Sequence, residues 1–190
     1  MVKRIFVCEI SGLEPIMFDR VAFDPIKTGK LMPLKWDEKA YFGSDRNSQR
    51  NLVMPTINIF SMLCNTRDGA PFLKEKKAAE ARRQCMIIKR TIHFPEKEVF
   101  ILRSNKHLTI SDCYHHQGSA PDPSKHSPIL TSRPVLELPW HLSFRIEIIE
   151  LGISVEIVKE YLTLAGNMTG LGTNRGQFGK FEIKSWKEVK

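Results

Sequence analysis

The sequence predicts an α+β fold whose core elements follow the order strand, helix, strand, strand, helix, strand, with long insertions between them. Strict alternation over residues 141–149 places four large apolar side chains on one face, as in a sheet that is covered on one side. Apolar residues at positions 155, 158, 162 and 165 follow the spacing of a helix face. With strands at residues 2–10 and from residue 181, the order is βαββαβ, that of a ferredoxin-like (RRM-like) core.

The first half of the chain supplies the first strand, a long insertion and the first helix. Residues 16–54 contain several prolines and glycines and are predicted to be irregular. A helix is predicted from Thr56, with Thr56 or Asn58 as its cap and an end between residues 65 and 69. Residues 74–83 are strong helix formers with a basic bias, and strands are predicted at 85–94 and 98–103.

The second half continues with a long loop at residues 111–134, followed by strands at 133–138 and 141–149. Ser154 is suited to cap the second helix, because its hydroxyl can accept a hydrogen bond from a free amide of the first turn. We therefore expect one domain over residues 1–190, with insertions at about 16–54 and 111–134.

Composition restricts the function classes. The formal net charge is +8, which favours polyanionic partners. The sequence has no run of 18 apolar residues and no signal-peptide pattern at its start, so we expect no membrane segment. The four cysteines are scattered without a Cys-x-x-Cys pair, which is typical of a reduced, cytoplasmic protein.

The segment between the second helix and the last strand is rich in glycine and carries Asn174, Arg175 and Lys180. Glycine tolerates positive φ and allows close backbone approach, so this loop is suited to lie against a ligand, although it could also be a plain turn. A nucleotide cofactor is not expected, because the helix precedes the glycines and Phe181 follows Lys180 where a P-loop has Ser or Thr. We predict no cofactor. The glycines are Gly166, Gly170, Gly172, Gly176 and Gly179.

Two segments resemble the RAMP superfamily, the RNA-binding proteins of CRISPR effector complexes, which include Cas7-like backbone subunits and Cas6-like ribonucleases. Residues 170–182 (GLGTNRGQFGKFE) resemble the C-terminal glycine-rich loop of that superfamily. Residues 53–63 (VMPTINIFSML) resemble the start of the first helix in Cas7-like proteins. Phage-encoded uncharacterised proteins share both features. Thr56 stands where the family has glycine, and Phe60 or Ser61 where it has a basic residue, which argues against RNA contact at this helix start.

The resemblance implies a non-catalytic protein that binds single-stranded nucleic acid, with RNA favoured over DNA. It also implies assembly with copies of itself or with other subunits of a CRISPR-effector-like complex. Phosphate contacts require cations near an accessible loop. Glycine amides of the loop could also contact phosphates, and Tyr41, Phe42 and Tyr114 could stack on bases. The candidate binding residues are Arg46, Arg50, Arg67, Lys74, Arg82, Arg83, Asn174, Arg175 and Lys180, with Gly170, Gly172, Gly176 and Gly179 in the loop.

Two alternatives remain open from the sequence. A Cas6-like, metal-independent endoribonuclease would use a histidine as its general base, and His115, His116 and His126 are candidates. Cys113 with these histidines matches no common zinc spacing, so no metal is predicted. The other alternative is a protein-interaction module, such as a phage-encoded inhibitor or decoy of a CRISPR complex.

Overall fold

The computed structural model describes residues 2–23, 31–32, 34–44, 49–121 and 128–189. Its helices are α1 (Thr56–Cys64), α2 (Pro71–Lys74), α3 (Ala78–Thr91) and α4 (Val155–Met168). Short 3-10 turns lie at Trp36–Lys39 and Ile110–Asp112. The strands are β1 (Lys3–Gly12), β2 (Ile16–Met17), β3 (Ala22–Phe23), β4 (Leu31–Met32), β5 (Phe42–Ser44), β6 (Arg50–Pro55), β7 (Ile92–His93), β8 (Glu98–Phe100), β9 (Leu102–Arg103), β10 (Lys106–His107), β11 (Cys113–Pro121), β12 (Pro128–Leu136), β13 (His141–Ile149) and β14 (Phe181–Val189).

The central sheet has the order β10-β9-β13-β1-β14, and β7 pairs with the far end of β13. All of these pairings are antiparallel. The fourth core strand, β14, therefore lies beside the first, and the third, β13, separates the first from β7 and β9. This is the strand order of a ferredoxin-like sheet, so the predicted α+β fold class is confirmed.

The alternation read from the sequence decides which face of this sheet carries the helices. Side chains at 142, 144, 146 and 148 of β13 are buried, whereas Ser143 and Arg145 on the opposite face are exposed. Buried residues of α1, α3 and α4 join those of β1 and β13 in one apolar core. Burial of this apolar surface is the main stabilising term. The largest fully buried side chains include Trp140, Tyr161, Phe18 and Phe181.

The segment predicted as a strand at residues 85–94 is helical up to Thr91, and only Ile92–His93 form a short strand. Four consecutive apolar residues follow Gln84, and such a run is compatible with either a strand or a buried helix. The buried positions Ala81, Cys85 and Ile88 are four and three residues apart, which is helical spacing. Helix formers upstream and packing against α1 decide in favour of the helix.

Residues 111–134, predicted as a long loop, contain a β-hairpin instead. Strands β11 and β12 pair over nine positions, from Cys113 with Leu136 to Pro121 with Pro128. The sequence of β11 shows no apolar alternation, and most of its described side chains are exposed or half-buried in the structure. Its strand conformation comes from pairing with β12, which the pattern of one segment does not reveal.

The insertion at residues 16–54 contains short strands rather than only irregular chain. Strand β2 pairs with β12, and β6 lies between β5 and β8. The predicted strand at 98–103 is divided by Ile101 into β8 and β9, which belong to different sheets. In the described part of the chain, the helices are too short and too polar to cross a membrane.

Both predicted helix starts lie where expected, although only one is capped as predicted. The Ser154 hydroxyl accepts a hydrogen bond from the Ile157 amide at the start of α4. At the start of α1, Thr56 is already helical and its hydroxyl donates to the Glu96 carbonyl at 2.7 Å. Thr56 therefore anchors the helix to the 96–97 turn instead of capping it.

Candidate functional site

The glycine-rich loop, residues 169–180, is a compact turn built on left-handed backbone. Gly172 has a φ of +82°, and a Cβ there would lie 2.4 Å from the Met17 carbonyl oxygen. Gly179 has a φ of +73°, and a Cβ there would lie 1.9 Å from the Leu171 carbonyl oxygen. Glycine is therefore required at both positions by conformation and by space. Gly170 and Gly176 also have positive φ.

Most of the loop's glycine amides are already bonded within the protein. The Gly179 amide donates to the Pro15 carbonyl at 2.7 Å, and the Gly176 amide to the Thr169 carbonyl at 2.7 Å. The Gly170 amide donates to the Ala165 carbonyl at 2.9 Å. The prediction that these amides contact phosphate is therefore wrong for Gly170, Gly176 and Gly179. What the loop presents to a ligand is its side chains.

Strand β2 joins this loop to the β11–β12 hairpin through the main chain. On one edge of β2, the Thr173 amide donates to the Met17 carbonyl at 2.9 Å. On the other edge, Met17 pairs with Val135 of β12, and the Phe18 amide donates to the Pro134 carbonyl at 3.0 Å. Hairpin, β2 and glycine loop therefore form one continuous backbone structure, which fixes the loop relative to the hairpin.

Three rings lie at the junction of hairpin and loop. The His116 ring contacts Phe178 of the loop edge-on, with 6.1 Å between centroids, and Tyr114 at 6.4 Å. Tyr114 is 41% exposed and Phe178 is half-buried, so the cluster opens to solvent. We name Tyr114, His116 and Phe178 the ring cluster. Tyr114 was predicted as a stacking residue, whereas Phe178 and His116 were not predicted to stack on bases. The sequence signal for Phe178 was its position between the loop glycines Gly176 and Gly179.

A second ring pair lies on the other face of the hairpin. Trp36 stacks on His115 with 5.0 Å between centroids and 17° between planes, and His115 Nε2 is hydrogen-bonded to the Ser132 hydroxyl. His115 and His116 are adjacent in a strand, so their side chains point to opposite faces. Burial raises the pKa of the Cys113 thiol to about 12, so the free thiol keeps its proton near neutral pH. His126, the remaining candidate ligand, lies outside the described residues.

The loop cations belong to the same glycine-rich loop as Phe178 of the ring cluster. Arg175 and Lys180 are half-buried, and neither has an ion-pair partner among the described residues. The Lys180 carbonyl accepts hydrogen bonds from the Leu13 and Glu14 amides, which fixes the base of the loop. Asn174 is exposed, and its side-chain amide donates to Gln177 Oε1 at 3.2 Å. Asn174, Arg175 and Lys180 therefore remain predicted contacts within this loop.

The other predicted cations lie elsewhere, and several are already engaged. The Arg50 guanidinium lies 3.8 Å from the centroid of the Phe42 ring, so the cation covers one face of this predicted stacking ring. Lys74 pairs with Glu160 at 2.7 Å, on the helix layer.

Arg83 lies 3.6 Å from Glu80, with both side chains on α3. Arg82, on the same helix, and Arg67, after α1, are exposed. Tyr41 packs against the core. Arg46 lies outside the described residues.

Comparison with known proteins gives a structural likeness and no sequence family. No protein-family model matches the chain, and no curated protein matches it. Among solved structures, 55 chains match significantly. One, in the cryo-EM structure of the Type III-B Cmr-beta bound to cognate target RNA, has a TM-score of 0.58 at 14% sequence identity. The match covers 99% of this chain and 61% of that chain. At this identity the likeness shows the fold: the chain has the fold of a protein in a CRISPR Cmr-beta structure.

Proposed function

We propose that this protein binds single-stranded RNA through the ring cluster and the cations of the glycine-rich loop, as one subunit of a CRISPR-effector-like assembly. The observation that carries the proposal is the placement of Arg175 and Lys180, without acidic partners in the described residues, in the loop whose Phe178 joins the ring cluster. Single-strand binders combine cations that follow the backbone with rings on which bases stack. The likeness to a chain from a structure that contains target RNA supports the same role.

The charges and rings have separate tasks in this proposal. Arg175 and Lys180 contact phosphates, which makes the affinity dependent on salt and independent of sequence. Tyr114 offers an exposed ring face to a base, and His116 and Phe178 hold that ring in place. Asn174 supplies an amide for hydrogen bonds to the sugar or phosphate. Arg50 and Arg67 remain candidate contacts further along a bound strand.

The test is fluorescence anisotropy with a labelled oligouridylate, at about 50 and 200 mM salt. We expect the double variant Arg175→Ala/Lys180→Ala to bind more weakly and to lower the slope of log K against log salt by about 1.4, because two phosphate contacts are lost. The matched control is Lys106→Ala/Lys187→Ala, which removes two exposed cations outside the site and should retain the affinity. Equal loss in both variants would mean that net charge alone is responsible.

The same samples separate RNA binding from the other possibilities. The deoxy version of the strand reports whether the sugar matters, and its equal binding would contradict a preference for RNA. Gel analysis of the oligouridylate after long incubation reports its length. RNA that is shortened even in the presence of a metal chelator would contradict a purely binding role. Absence of binding at the lower salt concentration would contradict the proposed function itself.

A further inference from the structure

A second surface lies at the opposite end of the central strands, in a groove between α1 and α3. Ile148 of β13 pairs with Arg4 near the start of β1 and with Ile92, which lines the groove. The glycine-rich loop instead contacts the chain just beyond the end of β1, at Pro15. Arg4 and Gly12 are eight positions apart along β1, so these two ends of the strand are about 25 Å apart.

The groove is about 320 Å³, and its lining is about equally apolar and polar. Ile57 on its rim is 63% exposed, and Met86, one turn before Lys89 on α3, is 43% exposed. Phe60 is half-buried, and its ring packs edge-on against Phe94 at 6.4 Å between centroids. Phe94 in turn packs on Phe144 of the core, so the apolar wall is rigidly supported. The lining residues are Thr56, Ile57, Phe60, Lys89, Ile92, His93 and Phe94.

Cations surround these apolar side chains on α3. Arg82, Lys89 and Arg90 are exposed, and within the described residues none has an ion-pair partner. Arg83 beside them is offset by Glu80 at 3.6 Å. Exposed aliphatic side chains bordered by unpaired charges of one sign are complementary to a partner that is apolar on one face and acidic on the other.

We propose that this groove binds an acidic amphipathic helix of a partner protein. Helices enter grooves of this kind with apolar side chains spaced three and four residues apart, and their flanking carboxylates would meet Arg82, Lys89 and Arg90. Ile57 and Met86 offer methyl groups and a thioether rather than flat rings, so they favour a protein over nucleobases. A second copy fits less well, because each copy carries a net charge of +8. The proposal does not depend on RNA binding at the other end.

The test uses the full chain and two labelled peptides of about 18 residues that are long enough to form a helix when bound. Both have leucine on one face, and the other positions are glutamate in one peptide and lysine in the other. We expect the acidic peptide to bind and the basic one not to bind. Ile57→Asp and Arg82→Glu/Lys89→Glu should each weaken binding of the acidic peptide by at least about tenfold, as expected for a contact at the centre of an interface.

Leu130→Asp is the control, since Leu130 is 86% exposed on the hairpin and its replacement should leave peptide binding unchanged. Met86→Asp provides a second apolar change if Ile57→Asp impairs folding, which circular dichroism would report. Unchanged affinity in both apolar variants, or equal binding of the basic peptide, would overturn the proposal. Loss of oligouridylate binding in Ile57→Asp would assign the groove to nucleic acid instead. Normal oligouridylate binding in these variants keeps the two proposals distinguishable.

Discussion

At the scale of single residues, the glycine-rich loop shows why its composition is so restricted. Gly179 combines a positive φ with a backbone oxygen where its Cβ would lie, whereas Gly176 has a φ of +90° and open space around it. Two glycines with the same conformational signature therefore have different packing costs. This difference can be measured.

We predict that Gly179→Ala lowers the free energy of unfolding by at least about 2 kcal/mol, because strain and a backbone clash add together. Gly176→Ala should cost only about 1 kcal/mol, from left-handed backbone strain alone. Urea unfolding followed by circular dichroism measures both values. Equal losses in the two variants would contradict the packing of Leu171 against Gly179.

At the scale of elements, the first residue of α1 donates a hydrogen bond to a carbonyl group outside the helix. Thr56 is 6% exposed, and its hydroxyl donates to the carbonyls of Glu96 at 2.7 Å and Lys97 at 3.1 Å. This bond ties the helix to the turn before β8 and holds one wall of the groove between α1 and α3 in place.

We predict that Thr56→Val lowers the free energy of unfolding by about 1 kcal/mol, because the part-buried Glu96 carbonyl loses its donor while the side-chain shape is kept. The Lys97 carbonyl keeps the hydrogen bond from the Thr56 amide. Thr163→Val on α4 is the matched control. Its exposed hydroxyl bonds the Lys159 carbonyl of the preceding turn, so its loss should have little effect. If Thr163→Val lowered the free energy of unfolding as much as Thr56→Val, the hydrogen bond to the 96–97 turn would not be the cause of the Thr56 effect.

Elements also show where sequence patterns were insufficient. Strand β13 and helices α1 and α4 follow from periodicity, because one face of each is buried and the other is more accessible. Strands β1 and β14 were also predicted, although the second face of β1 is largely half-buried and only Phe181 of β14 is buried. The 85–94 segment and the β11–β12 hairpin do not follow from periodicity. A continuous apolar run is compatible with two periods, and a hairpin exposed on much of its surface has no period at all. In both cases contacts with distant segments decide the conformation.

At the scale of the whole molecule, burial keeps several ionisable groups neutral. Burial raises the pKa of the Cys8, Cys64 and Cys113 thiols to about 12. The pKa of Tyr161 is also raised, by burial and by the Glu75 carboxylate that it contacts. Each of these groups holds its proton more tightly in the folded chain than in the unfolded chain.

We therefore predict that stability falls in alkaline solution. An unfolded thiol ionises near about pH 8.5, so the contribution is complete below that pH. It is lost as the pH rises toward the folded pKa, at up to about 1.4 kcal/mol per pH unit for each thiol. Urea unfolding between about pH 8 and 10 measures the slope. Cys8→Ala should be less stable but should have a shallower slope. An unchanged slope would contradict burial of the Cys8 thiol.

The α+β class, the order of the core elements and the position of a glycine-rich, basic loop before the last strand could all be predicted from the amino-acid sequence. These features depend on local periodicity and on residue chemistry, both of which are visible along one segment. The predicted binding residues lie on different elements. Asn174, Arg175 and Lys180 belong to the glycine-rich loop, whereas Lys74, Arg82 and Arg83 lie on helices α2 and α3.

The groups that the glycine loop can offer to a ligand depend on contacts between distant segments, which the sequence did not reveal. The folded chain ties the loop to β2 through the Thr173 amide, and the amides of Gly170, Gly176 and Gly179 donate to carbonyls of Ala165, Thr169 and Pro15, so the side chains remain as the contact groups. It also brings Phe178 to His116 of the hairpin, over more than sixty residues of sequence. Hydrogen bonds and ring contacts between distant segments form only after the core has fixed the relative positions of those segments. The local sequence therefore does not reveal which segments will meet.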